Sequence, residues 1–253
     1  MNTSFRRFSL HGFFALQGLL LLLFAPLQVH AQDSISLSQE ITTLYRSARA
    51  VISGNQAQIN NPEIGDKNLN RITVLQTAKE NYKTATGKDL SMGEPGSVEF
   101  KAKTALIESI EEVMDDAQGL INEKGKGFKG FLPAVFARQV AEHFNVRMEQ
   151  KITLKLTAPK ALVRNRANRP DPWESGAIDN LFSKADYEKG KPFYETADAQ
   201  GKKAFRYILP EYYVESCLGC HGEPKGEIDI SGGKKEGAKL GDLGGAISLT
   251  IFE

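Results

Sequence analysis

The sequence predicts an α+β protein, with helices in its first part and an antiparallel sheet in its second. Three observations carry this. Apolar residues recur at helical spacing in four stretches before about residue 145. From Lys151 the pattern switches to alternation of polar and apolar residues. Two later apolar runs are joined by a short turn that contains a glycine. Runs of helices followed by runs of strands argue against alternating βαβ units. The 253 residues, 41% hydrophobic and 25% charged, suffice for a core that needs no disulfide or metal to hold it.

The elements follow in order. Residues 1–31 read as a secretory signal peptide. Arg6 and Arg7 precede an apolar stretch from about Gly12 to Leu27, and Val29 and Ala31 supply the small residues before a cleavage point. The apolar stretch is shorter than the ~20 residues a membrane span needs, so no stable membrane insertion is expected after cleavage. The mature chain, 32–253, is expected to form one domain, helical over about 36–145, with the sheet and a cysteine motif over about 150–253. A first helix is expected over 37–53, opened by a capping box of Ser36 and Gln39. A second covers 69–85 with Leu69, Ile72, Leu75, Ala78 and Tyr82 inward, ended by Gly87. A third covers 97–118, with Val98, Ala102, Leu106, Ile110 and Met114 inward and an acidic run read as a solvated face. The loop Gly125–Gly130 lacks the spacing of a phosphate cradle. A fourth helix runs over 133–145, with Pro133 in its first turn. Strands are expected at 151–157, at 193–196 and 203–208 as a hairpin, and at 246–251.

The chain has two cysteines, in the run Cys217-Leu218-Gly219-Cys220-His221. Four chemistries use such a pair. In c-type haem attachment, two thioethers fix the porphyrin and the next histidine lies under the iron. A redox dithiol normally opens a helix early in a βαβ unit, which this late position does not match. Structural zinc wants four ligands, and His143 is the one other histidine beyond the leader. A plain disulfide is the fourth. Export favours haem c, with Cys217 and Cys220 as attachment points and His221 as an axial iron ligand. The full chain has a net charge of +1, and the leader removes two of its 32 basic residues and none of its 31 acidic ones. The mature net charge is then −1, so nothing global points to nucleic acid.

The chain also resembles a family of periplasmic haem c proteins with a PAS-like fold, long known only as a domain of unknown function. The matching stretches are Arg49–Ile52, Ile59–Pro62, Gly127–Ala137, Arg164–Arg166 with Pro170–Glu174, Pro210–Tyr213, Cys217–Gly226 and Gly244–Ser248. The resemblance implies a five-stranded antiparallel sheet with flanking N-terminal helices and a c-type haem packed against the sheet. It includes stand-alone cytochromes and sensor ectodomains, and one relative uses an N-terminal cysteine as second axial ligand. Here Cys217 and Cys220 are both committed to the porphyrin, so the second axial position is open to His143, Met92, Met114, Met148, water or a gas. Arg164, Arg166 and Arg169 are candidates to bind haem propionates through their planar guanidinium groups. Lys225, Lys234, Lys235 and Lys239 are candidates for a basic docking rim. The expected function is periplasmic electron transfer by one haem c, with an unidentified redox partner protein. A haem-based redox or gas sensor acting through a separate partner is the alternative.

Overall fold

The computed structural model describes residues 25–253, with side chains from Gln32 onward. The predicted leader lies outside the described residues except for its last seven, whose backbone is helical. The helical part consists of α1 (Ala25–Gly54), a single turn α2 (Gln56–Ile59), α3 (Arg71–Thr86), α4 (Val98–Ile121) and α5 (Pro133–Arg147). The sheet comprises β1 (Ile152–Thr157), β2 (Phe193–Ala199), β3 (Lys202–Tyr212) and β4 (Leu243–Phe252). Two short helices complete the order, α6 (Pro172–Ala177) before β2 and α7 (Glu215–His221) between β3 and β4. Among the described residues no helix is long and apolar enough to cross a membrane.

The caps explain most helix boundaries. Asn70 accepts from the Thr73 amide at 2.9 Å and Ser97 from the Phe100 amide at 3.0 Å, each satisfying a first-turn donor. Gly87, at φ 72°, ends α3 in the left-handed conformation. The capping box expected at Ser36 does not form, because α1 already runs through that residue as continuous helix. Ile72 and Val98, both read as inward, are instead exposed in the first turns of α3 and α4.

The sheet is fully antiparallel, in the order β1-β4-β3-β2. It has four strands among the described residues, one fewer than the resemblance implies. Leu249 of β4 lies opposite both Leu154 and Tyr207, and its neighbour Ser248 opposite Ile208. Because side chains alternate, these two registers face opposite sides. One side packs on α1, α4 and α5 in a core that includes Ile41, Tyr45, Leu106, Phe136, Leu154, Ile247 and Leu249. The other side is covered by α6 and the π turn Ile178–Phe182, in a smaller core of Ile178, Phe182, Ile208 and Ala246. Trp173 stacks on Phe193 there, and the buried Arg206 guanidinium lies 4.3 Å from the Trp173 ring while pairing with Asp171 at 2.5 Å.

Two loops between helices fold around their own lysines. Lys67 is fully buried and its ammonium donates to the carbonyls of Asn61 and Ile64. Lys129 is likewise buried, donating to the carbonyls of Glu123 and Lys126. The glycine-rich segment thus wraps a cation that the chain itself supplies. Its Gly125 amide donates to the Pro62 carbonyl at 2.8 Å, and the Lys129 amide to Asn60 Oδ1 at 2.9 Å. These bonds join the two loops next to the start of α5.

Candidate functional site: a cavity walled by the cysteine motif

Both cysteines and His221 lie on α7, a helix of 7 residues. Cys217 and Cys220 are three positions apart, so their thiols project from neighbouring points of one face. Both thiols are free and half-buried, and burial pushes the Cys220 thiol up from its ordinary range. At the end of α7, Gly222 is required sterically, since a Cβ there would fall 2.6 Å from the Leu218 carbonyl oxygen.

His221 is held from two sides. Its ring stacks on Tyr213, with centroids 5.0 Å apart and planes at 27°. Its Nδ1 lies 2.8 Å from Glu236 Oε2. Burial alone would raise the Glu236 carboxyl, but hydrogen bonds from Arg164 and His221 hold it below the usual range. An ionised carboxylate only accepts, so Nδ1 carries a proton, and in the neutral ring Nε2 is the nitrogen left with a lone pair. Burial pushes the Tyr213 phenol up to about 12, with Glu236 adding to the shift. A Cβ on Gly244 would lie 2.7 Å from the Tyr213 ring, so β4 admits the ring only because glycine stands there.

Arg164 is the hub of the loop that follows. Its guanidinium donates to Glu236 at 2.8 and 3.0 Å and to Asp229 at 2.5 Å. It also donates to the carbonyls of Cys220 at 2.9 Å and Lys234 at 3.1 Å. Asp229 is buried and caps its own turn, accepting from the Ser231 amide at 2.7 Å and hydroxyl at 2.5 Å. Burial raises its carboxyl, yet the bonds from Ser231 and Arg164 outweigh that and bring it to about 2. The loop closes back on the motif where Ala238 N donates to the His221 carbonyl at 2.8 Å.

The motif forms one wall of a cavity of about 540 Å³. Arg49 and Ser53 line it from α1, Gln56 and Asn60 from α2 and the residue that follows it, Leu132 and Val135 from the start of α5, and Leu162 and Val163 from the chain after β1. Glu211 and Gly245 line it from the sheet. Ser53 and Ser216 share a hydrogen bond of 2.8 Å that ties α1 to α7. Glu211 is clamped by Arg46 and Arg49, and Arg49 Nε is buried without a hydrogen-bond partner.

Residues 35–251 match the Tll0287-like family over nearly the whole described chain. The chain belongs to that family. Neither the curated proteins nor the solved structures give a match.

This Tll0287-like chain brings Cys217, Cys220, His221 and Arg164 to one cavity. Arg166 and Arg169 are exposed and lie outside its wall. Arg164 is paired with Asp229 and Glu236, contacts that brace the loop behind the motif. None of the four predicted second ligands lines the cavity. His143 Nδ1 lies 3.0 Å from Glu112, which Arg147 also pairs at 2.5 Å. Met114 is fully buried in the main core, Met148 packs against that core, and Met92 lines a separate cleft beside α3. The expected lysine rim is interleaved with acids, and Lys235 pairs with Glu227 at 2.9 Å. Sequence reading does not single out Glu236, whereas Tyr213 and Arg49 fall within the matching stretches Pro210–Tyr213 and Arg49–Ile52. Glu236 is 15 positions from His221 in an aperiodic glycine-rich loop, where no spacing announces a partner.

Proposed function

We propose that this chain is a periplasmic monohaem c-type protein of PAS-like fold that exchanges electrons with a redox partner protein. The observation that carries the reading is the state of His221. Its Nδ1 is engaged by a carboxylate and its ring is fixed by Tyr213, so in the neutral ring Nε2 is the nitrogen free to bind a metal. Histidine ligands of metals are oriented by such a carboxylate contact on the other ring nitrogen. Two free thiols on the same helix, spaced for the two vinyl groups of a porphyrin, supply covalent attachment. The residues present fit the group. The wall offers a broad space of mixed character, two adjacent glycines in β4, and a buried Arg49 N–H with no partner. Bound here, the haem would supply one-electron chemistry by cycling its iron between two oxidation states. The chain's own residues attach the ring, orient the imidazole and exclude water from one side of it.

Zinc and dithiol chemistry have less support. No third sulfur or second imidazole lines the cavity among the described residues. The leader read at residues 1–31 supports assembly outside the cytoplasm. The test is to express the full chain with a haem c maturation system and purify it from the periplasm. Its intact mass should include one covalent haem, and its pyridine haemochrome should show a c-type spectrum that Cys217→Ala with Cys220→Ala abolishes. A purified, folded protein without covalent haem would overturn the reading.

A further inference from the structure

We infer that the haem proposed above has its second axial position open to a small exogenous ligand, with Arg49 as the donor that favours an anion. The inference rests on the haem reading and concerns the side of the iron opposite His221. The cavity wall bounds what the chain itself can offer there. Its imidazole is that of His221, its two thiols are those of the motif, and no methionine or lysine lines it among the described residues.

The wall carries one carboxylate and two phenols, Glu211, Tyr213 and Tyr212, and each is engaged. Glu211 is gripped by both Arg46 and Arg49. Tyr213 stacks on His221, which puts its ring on the side of the imidazole. Tyr212 also lines the wall, and its ring is engaged by Lys189, whose Nζ lies 5.3 Å from the ring centroid. Of the remaining polar wall groups, Gln56 Nε2 donates to the carbonyls of Ile52 and Phe131 at 3.1 and 3.0 Å. Asn60 Oδ1 accepts the Lys129 amide. Amides and hydroxyls are in any case poor iron ligands beside imidazole and thiolate.

The wall is better equipped to receive a ligand than to supply one. Arg46 and Arg49 together carry two positive charges against the single charge of Glu211. Arg49 Nε is buried and has no acceptor, which is costly unless something brings one. A small anion with a lone pair for iron and a second atom for an N–H matches both features. Such a ligand would make the haem's potential depend on what occupies the site, so electron exchange would follow ligand concentration.

The experiment uses purified holoprotein with its covalent haem content first established by mass. If no haem is present, the proposed function fails before the inference is reached. With haem present, azide should shift the Soret band of the ferric protein saturably, and carbon monoxide should shift that of the ferrous protein. Arg49→Leu should weaken azide about tenfold, the loss expected for one hydrogen bond to a charged group, and change carbon monoxide affinity less than twofold. Arg49→Lys should restore part of the azide affinity. Spectra unmoved by both ligands would overturn the open site while leaving the haem reading intact. Equal azide affinity in Arg49→Leu and the parent would overturn the role of Arg49. The parent titration decides the first point even if the variant does not fold.

Discussion

At the scale of single residues, the imidazole of His221 is set by partners that lie outside its motif. Tyr213 fixes the ring plane and Glu236 fixes the proton on Nδ1. A carboxylate on Nδ1 makes Nε2 a stronger donor, so in the proposed haem protein it would stabilise ferric more than ferrous iron. Glu236→Gln keeps the shape and removes the charge, so it should raise the midpoint potential. A tenfold change in relative stabilisation corresponds to about 60 mV for one electron. Potentiometric titration of the two holoproteins measures this directly, and an unchanged potential would mean that ring stacking alone sets the ligand. The motif was fully legible in the sequence, because its two cysteines and its histidine lie within five consecutive residues. Its supports were not. Arg164 stands out as a cation near the site, yet charge alone does not say that its fork meets Asp229 and Glu236.

At the scale of elements, the loop from Gly222 to Asp242 has little apolar content and is ordered by polar contacts. Asp229 is its keystone, since its carboxylate closes the 229–233 turn and pairs with Arg164. Its carboxyl lies at about 2 in the folded protein, below the ordinary carboxylate value. A depressed folded value means that its contribution is complete above about pH 4 and is lost as pH falls toward 2. Loop protection, read as amide exchange at Ser231 and Gly233, should therefore weaken across that window before the helices unfold. Asp229→Asn should flatten the dependence, and the same acid profile in both proteins would exclude Asp229 as its source. Legibility at this scale tracked periodicity. α4 was expected over 97–118 and runs Val98–Ile121, while α5 was expected over 133–145 and runs Pro133–Arg147. Each presents a repeated apolar stripe and a recognisable start. β3 was expected to stop at 208 but continues to Tyr212, carrying Glu211 and its bulge to the cavity. Pro210 masked that extension, because proline within a run weakens a strand assignment. α6 and α7 are too short to show a stripe at all.

At the scale of the whole molecule, one sheet serves two cores, and the cavity opens where its central strands end. Tyr207 and Leu249 are partners across β3 and β4 on the helical side, while the next pair, Ile208 and Ser248, faces α6 and the π turn. The two buried clusters share no side chain. Leu249→Ala should cost about 2–5 kcal/mol by removing buried methyl groups and leaving a cavity, and Ile208→Ala should fall in the same range. Their coupling is the informative quantity. If the sheet is a rigid partition, each truncation relaxes only its own side, and the double variant should lose the sum of the two within about 0.5 kcal/mol. Urea unfolding of the parent, both single variants and the double variant gives that number. A coupling above about 1 kcal/mol would mean that the strands shift as a unit when one face is emptied. In that case Glu211 and Tyr213, at the far end of β3, would move with them, and the arginine clamp and the stack on His221 would answer to packing on the opposite face of the sheet.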